Sequence, residues 1–358
     1  CNEDCAASAA MVWEYRSGLA DNDTFSGVTS SADGRIFVVG AKITEGGTQD
    51  RWIAELADGV IAWSRTYDHG TYEGAFAVAV HDSSLVVAGT TMAADDRDAW
   101  TARLDLDGAM IWEHEVDSGF GDDFLTNLAV TPEGDVVVTG VASVAGGQAA
   151  AWTRRYAASG EVQWTHEVPF QGEAFFAVGP GVTVTADEVV VGFYRTPGPE
   201  TSQAVLLAYP PGGGEPSWMQ DLPTSGAVFG ITSDPGGALT MVLQDLGGAF
   251  VVDRATSAGQ LLWSSKECTG DYGKGVAIDS QGDIIAVGGG PGAIEDNIRL
   301  CKFTAEGKLR WGKDLDGGLG DDLGLAVAIL PDDRIVAAGR MWGGDDGKTD
   351  AWVAVFTP

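Results

Sequence analysis

Seven tryptophans stand at nearly even intervals: Trp13, Trp63, Trp112, Trp164, Trp218, Trp263 and Trp311, with spacings of 50, 49, 52, 54, 45 and 48 residues. A period of this size marks a chain built from one supersecondary unit, each copy burying its apolar faces against its neighbours. Each of the last six tryptophans follows a glycine-containing turn, as in DGVIAW, DGAMIW, SGEVQW, AGQLLW and EGKLRW. A turn glycine followed by alternating apolar residues is a strand entered from a hairpin.

Three further strands are legible between successive tryptophans. One is rich in small apolar residues, as in AFAVAV (75–80), NLAV (127–130), GVAI (275–278) and LAVAI (325–329). The next is a β-branched run ending in glycine, as in IFVVG (36–40), LVVAG (85–89), VVVTG (136–140), IIAVG (284–288) and IVAAG (335–339). The third carries a second aromatic ladder, RWIAEL (51–56), AWTARL (99–104), AWTRRY (151–156) and AWVAVF (351–356), with weaker copies at 204–209, 249–254 and 298–303.

Strands that converge on an axis need small side chains, and strands that diverge from it need large rings to fill the widening gap, a task for which Trp supplies both area and a polar edge. This division predicts an all-β fold, a seven-bladed β-propeller with four antiparallel strands per blade, 28 strands in all and no helix. The last unit lacks its outermost strand, and MVWEYR at 11–16 has no unit before it. The N-terminal strand is therefore expected to complete the last blade and close the ring, removing exposed strand edges. Residues 1–10 would be an N-terminal tether, and 11–358 the propeller.

GLGDDLGLAVAILPDDRIVAAG followed by TDAWVAVF, and GFGDDFLTNLAVTPEGDVVVTG followed by AAWTRRY, resemble the bacterial seven-bladed β-propeller repeat abbreviated SBBP. The likeness covers residues 11–358 and is degraded around 172–250, where YPPGGGEPSW replaces the usual turn. The turns before tryptophan also resemble pyrroloquinoline-quinone-type propeller repeats, including those of the lipoprotein scaffold of the outer-membrane barrel-assembly machinery. These resemblances imply a propeller and an extracytoplasmic location but no single activity. Quinoprotein dehydrogenases typically carry adjacent cysteines near the cofactor; no two cysteines are adjacent here, so no quinone is expected.

A formal net charge of −31 repels phosphate backbones and leaves no basic patch for an anionic membrane, so no nucleic-acid partner is expected. No apolar run approaches the roughly 20 residues that span a bilayer. Cys1, followed by Asn2, matches the position at which a bacterial lipoprotein is cut and acylated, so membrane contact is expected only through a lipid on Cys1. Of the remaining cysteines, Cys5, Cys268 and Cys301, no two are spaced as a metal pair, and the disulfide pairing is open.

Aligned on the inner strands, Asp23, Glu73, Asp123, Glu173, Asp271 and Asp322 form an acid column, with Gly226 in the seventh slot. Asp122 and Asp321 precede two of them. The structural reading is that each carboxylate accepts backbone N–H bonds and fixes a crossover loop. The functional reading is an acid rim at the channel mouth that attracts Ca²⁺ or a cationic group, with Asp122, Asp123, Asp321 and Asp322 as the metal candidates and no other cofactor indicated. A second set, Asp50, Asp98, Asp296 and Asp350, precedes the aromatic slot and reads as strand-entry caps. Tyr72, Phe120, Tyr272 and Trp342 break the aromatic pattern and are candidates for a binding surface beside the rim. His114 and His166 fall at equivalent, solvent-facing edge positions, and no nucleophile has a base readable beside it.

These features support a non-catalytic protein- or glycan-binding scaffold at the bacterial cell surface or outer membrane, with an envelope protein or a glycan as partner. The alternative is a Ca²⁺-assisted glycan hydrolase or lyase, which requires a polar pocket with convergent acid and base groups.

Overall fold

The β-branched and aromatic runs become strands buried on both faces, as in Ile36–Ile43 and Thr349–Phe356, whereas outer runs such as Val60–Tyr67 alternate and cover one face only. The computed structural model describes every residue except 1–8, 19–21, 45, 69, 71, 94–95, 147, 170–180, 199–200, 292–295, 319 and 344–346. Among the described residues there are 27 strands and no helix. After β1 (Met11–Arg16), the strands β2 (Thr24–Ser30), β3 (Ile36–Ile43), β4 (Gln49–Ala57) and β5 (Val60–Tyr67) form an antiparallel sheet in chain order. A second sheet joins β6 (Gly74–His81), β7 (Ser84–Ala93), β8 (Asp96–Asp105) and β9 (Met110–Val116). A third joins β10 (Phe124–Val130), β11 (Val136–Val144), β12 (Gln148–Tyr156) and β13 (Val162–Pro169).

A seven-stranded sheet follows, made of β14 (Gly181–Val184), β15 (Val189–Gly198), β16 (Thr201–Tyr209), β17 (Trp218–Ser233), β18 (Leu239–Asp245), β19 (Phe250–Ala255) and β20 (Leu261–Ser265). Then come β21 (Tyr272–Ile278), β22 (Ile284–Pro291), β23 (Asp296–Phe303) and β24 (Leu309–Leu315). The last sheet is β25 (Leu323–Ile329), β26 (Ile335–Trp342) and β27 (Thr349–Phe356), with β1 antiparallel on its outer edge, Trp13 opposite Val355. The groups of four, stacked face to face, give a propeller-like β fold.

The expected 28 separate strands differ from this arrangement at one place. β17 is a single strand of 16 residues whose first half pairs with β16 and whose second half pairs with β18. The slot filled by an acid elsewhere is here Gly226, whose φ of 135° lets the chain swing from one sheet to the next without a crossover loop. The register also corrects the aromatic slot of β23. Gly288 lies opposite Arg299, as Gly89 lies opposite Trp100, so Arg299 holds the slot and Asn297, not Asp296, comes level with Asp98.

Apolar clusters lie between successive groups. One packs Phe25, Val38 and Trp52 against Val336, Ala351 and Val353, joining the first four-stranded sheet to the last. Trp52, Trp100, Trp152 and Trp352 are all buried in these seams. Each removes about 200 Å² from water, roughly 5 kcal/mol of transfer free energy before conformational entropy is set against it.

The outer tryptophans make a second seam. A Cβ on Gly160 would stand 3.0 Å from Trp112, one on Gly213 2.7 Å from Trp164, and one on Gly307 2.7 Å from Trp263. All three glycines have positive φ. The indole Nε1 of Trp112 donates to Ala158 O at 3.1 Å, that of Trp164 to Pro211 O at 3.1 Å, and that of Trp263 to Ala305 O at 3.0 Å. The turn glycine and the tryptophan after it thus belong to different contacts: the glycine receives the preceding sheet's indole, and the tryptophan reaches the following sheet's turn. His114 and His166, expected to face solvent, are half-buried instead, stacked on Tyr156 and Tyr209 at 4.9 and 4.4 Å.

Candidate functional site

The acid column is built into the seams between sheets. Asp23, Glu73, Asp123 and Asp322 are buried, and their backbone N–H groups donate to Thr349 O, Gln49 O, Arg97 O and Asp296 O of the preceding sheet. Three of their side chains reach forward into their own sheet: Asp23 Oδ1 accepts from Ile43 N at 3.0 Å, Asp123 Oδ1 from Ser143 N at 2.8 Å, and Asp322 Oδ1 from Trp342 N at 2.6 Å. Asp123 and Asp322 also accept from Ser118 N and Gly317 N in the crossover loop. Burial pushes the carboxyls of Asp23, Asp123 and Asp322 upward, and these N–H bonds pull back. Glu73 Oε1 accepts from the Thr91 hydroxyl of β7 at 3.3 Å, and its Oε2 faces Arg51 Nη2 at 3.4 Å, inside the protein.

The doublet acids pin the strand on the other side of each seam. Asp122 accepts from Arg97 N at 3.0 Å and pairs with its guanidinium at 2.8 Å, which holds its carboxyl below the usual range. Asp321 Oδ1 accepts from Asp296 N at 3.3 Å, and Asn22 plays the same part for Thr349 N at 2.9 Å. Asp271 is half-buried; burial, then Asp271 and Asp321, push the Asp296 carboxyl upward. Glu173 and Cys1 lie outside the described residues, as do Asp21, His69 and Cys5.

A cavity of about 860 Å³ is enclosed by β2, β6, β10, β17, β21 and β25. Each of these inner strands carries a β-bulge, where two residues face one on the partner strand, between 25 and 27, 75 and 77, 125 and 127, 228 and 230, 273 and 275, and 324 and 326. The six extra residues, Ser26, Phe76, Thr126, Phe229, Lys274 and Leu325, all line the cavity. At five of the six bulges a glycine on the partner strand accommodates the close approach: a Cβ on Gly140 would stand 2.0 Å from Phe124 O, and one on Gly40 1.8 Å from Thr24 O. At the sixth the position is Leu243.

Lys274 is the one cation in that girdle. Its Nζ stands 3.5 Å from the ring centre of Phe229 and 5.5 Å from that of Tyr272, and no carboxylate among the described residues comes within 4.0 Å. Burial holds its pKa down at about 8. Arg340 also lines the cavity, and its buried Nε has no hydrogen-bond partner. In a chain of net charge −31, the described wall carries two cations against the single carboxylate of Asp321.

Of the off-pattern aromatics, Tyr72 and Trp342 line this cavity, whereas Phe120, 58% exposed, does not. Tyr272 lies beside Lys274, its hydroxyl 3.5 Å from Asp296 Oδ2, and burial together with that acid pushes it to about 12. The bulge residues were missed in the sequence. Each sits three residues after the acid-column position, a slot that could have been tabulated once that column was aligned.

No family model and no curated protein matches this chain. Among solved structures it is similar to a protein of unknown function from Bacteroides caccae, with 14% identity, a TM-score of 0.51, and coverage of 79% of this chain and 94% of that one. It is also similar to Sqt1 from Chaetomium thermophilum, with 12% identity, a TM-score of 0.57, and coverage of 98% and 99%. Raptor from the same organism gives a TM-score of 0.63 at 9% identity, over 97% of this chain and 29% of that one. At these identities the likeness is one of fold.

Proposed function

We propose that the chain is a non-catalytic, extracytoplasmic binding scaffold, a closed seven-bladed propeller of the SBBP type that captures a protein or glycan at its axial channel. The observation that carries the reading is the ammonium of Lys274, held in the channel wall against Phe229 with no carboxylate partner among the described residues. A buried charge without a counter-ion costs stability, and a partner that brings an acceptor-rich group to it recovers that cost on binding. The wall around it mixes aromatic rings with amide and hydroxyl groups, the surface that recognises a side chain or a sugar. A single described carboxylate there does not supply an acid–base pair for glycan cleavage.

Counting β17 as two strands gives the 28 strands that seven blades of four would need, which supports that reading. Closure by residues 11–16 is supported by the β1–β27 pairing and by the cluster joining the last sheet to the first. The buried Cys268–Cys301 disulfide favours an oxidising compartment. A lipid on Cys1 would hold the scaffold at the outer membrane or cell surface.

The test is capture from envelope extracts and on a glycan array by immobilised protein. Wild type and Phe120→Ala are expected to retain the same partner, and Lys274→Met to lose it. Equal capture by Lys274→Met would remove the channel from the function. Fatty-acid label persisting on a Cys1→Ala variant, made in a host that processes lipoproteins, would dispose of the anchor.

A further inference from the structure

One seam between sheets gathers three carboxylates among the described residues. Asp98, Asp117 and Asp123 each place one carboxylate oxygen so that all three lie within 4.8 Å of one another. Asp98 sits in β8, Asp117 in the loop after β9, and Asp123 at the entry to β10, so the group spans two sheets and their crossover. Asp98 is only 5% exposed, and its buried Oδ1 has no hydrogen-bond partner. Asp96 and Glu115 add further negative charge nearby, and burial together with these neighbours pushes Asp98 up to about 6.

The equivalent positions elsewhere show what a neutralised seam looks like. Register and spacing place Asp350, Ser17 and Asp23 at the seam between the last and first sheets, where the Ser17 hydroxyl donates to Asp350 Oδ1 at 3.1 Å and also serves Asp23. At the seam after β23 the first position is Asn297, an amide, in place of the first acid. At the seam after β4, Glu73 has the guanidinium of Arg51. In each of these a hydroxyl, an amide or a cation meets the acids; at the Asp98 seam the Ser118 hydroxyl serves Asp123, and Asp98 Oδ1 is left without a hydrogen-bond partner.

We propose that Asp98, Asp117 and Asp123 hold a hard divalent cation, best Ca²⁺. The donors are all oxygen, which suits Ca²⁺ and not the nitrogen- and sulfur-preferring Zn²⁺. Asp117 is exposed, leaving room for the waters that complete a coordination sphere of 6–8 oxygens. The donors come from two sheets and a loop, an irregular set that Ca²⁺ tolerates and Mg²⁺, with its demand for near-ideal octahedral geometry, does not. The site is separate from the channel and stands or falls independently of the proposed capture there.

The experiment is calorimetric titration of chelator-treated protein with CaCl2, alongside thermal unfolding with and without the metal. Wild type is expected to take up one Ca²⁺ with a rise in Tm. Asp117→Asn keeps the side-chain acceptor that caps Gly119 N–H and should fold normally, yet bind at least tenfold more weakly; Asp98→Asn should behave likewise. Asp316→Asn, at the equivalent loop position of the Asn297 seam, should bind as wild type does. No uptake by wild type, or uptake unchanged by Asp117→Asn with its circular dichroism intact, overturns the site and leaves a proton on Asp98 as the neutralising species.

Discussion

Lys274 Nζ stands 3.5 Å from the centre of the Phe229 ring, two consecutive bulge residues of the girdle facing each other across the joint between β17 and β21. The ring face stabilises the cation, but only partly replaces the water that an ammonium loses there. This contact ties the proposed function to a measurable instability.

With its folded pKa near 8 and an unfolded value near 10.4, Lys274 binds a proton in the unfolded state that the native state has released between those pH values. Stability therefore rises with pH across that window. Lys274→Met should be more stable than wild type at pH 7, by about 1–3 kcal/mol, with the gap closing by about pH 10.5. Urea unfolding of both proteins at the two pH values is the measurement; a less stable variant at pH 7 refutes the account.

Arg51 and Glu73 form an ion pair inside a seam, 1% and 0% exposed, and the Arg51 guanidinium also lies 4.2 Å over Trp100. Removing one partner strands the other in an apolar seam. Arg51→Met should cost about 3–5 kcal/mol, and the double variant Arg51→Met/Glu73→Leu should recover most of it. Additive losses in the double-mutant cycle would show that the pair is not coupled.

Gly140→Ala drives a methyl into the carbonyl of Phe124. Backbone on both sides blocks relief, so a loss above about 3 kcal/mol is expected. Gly212→Ala meets nothing within 4 Å and has no positive φ, so it should stay within about 0.5 kcal/mol of wild type. Thermal unfolding of the two variants side by side checks the contrast.

The Cys268–Cys301 bond joins the segment between β20 and β21 to β23, across 33 residues of sequence. Closing a loop of that length contributes about 2–4 kcal/mol. Cys268→Ala/Cys301→Ala should lower the denaturant midpoint without changing the strand content seen by circular dichroism. An unchanged midpoint would show that packing alone holds this seam.

Much of this architecture was legible in the residues. The turn glycine, the tryptophan after it and the aromatic slot each record a packing demand that only a few side chains meet, so they repeat visibly. The extra residue of each bulge was not legible, because it points into open space where packing imposes no type: Ser26, Phe76, Thr126, Phe229, Lys274 and Leu325 share nothing but position. The acids failed in the opposite way. Asp23 and Asp123 repeat because they hold backbone, and repetition by itself could not say whether they face solvent. Asp98 escaped notice as a ligand because its partners, Asp117 and Asp123, come from the loop and strand that follow, and its character depends on Ser17 and Asn297 standing at the comparable positions elsewhere.

The tryptophan–glycine seam bears on how such a chain can grow. A unit such as β10–β13 offers Gly160 to the indole before it and presents Trp164 to the turn after it. Its two sides are therefore a socket and a plug of one standard gauge. A stretch of gene copied in tandem would arrive with both couplings already fitted, so that lengthening the array needs no new interface, only a fresh accommodation of curvature. Selection is then free to diversify the girdle residues one at a time, since none of them takes part in the coupling.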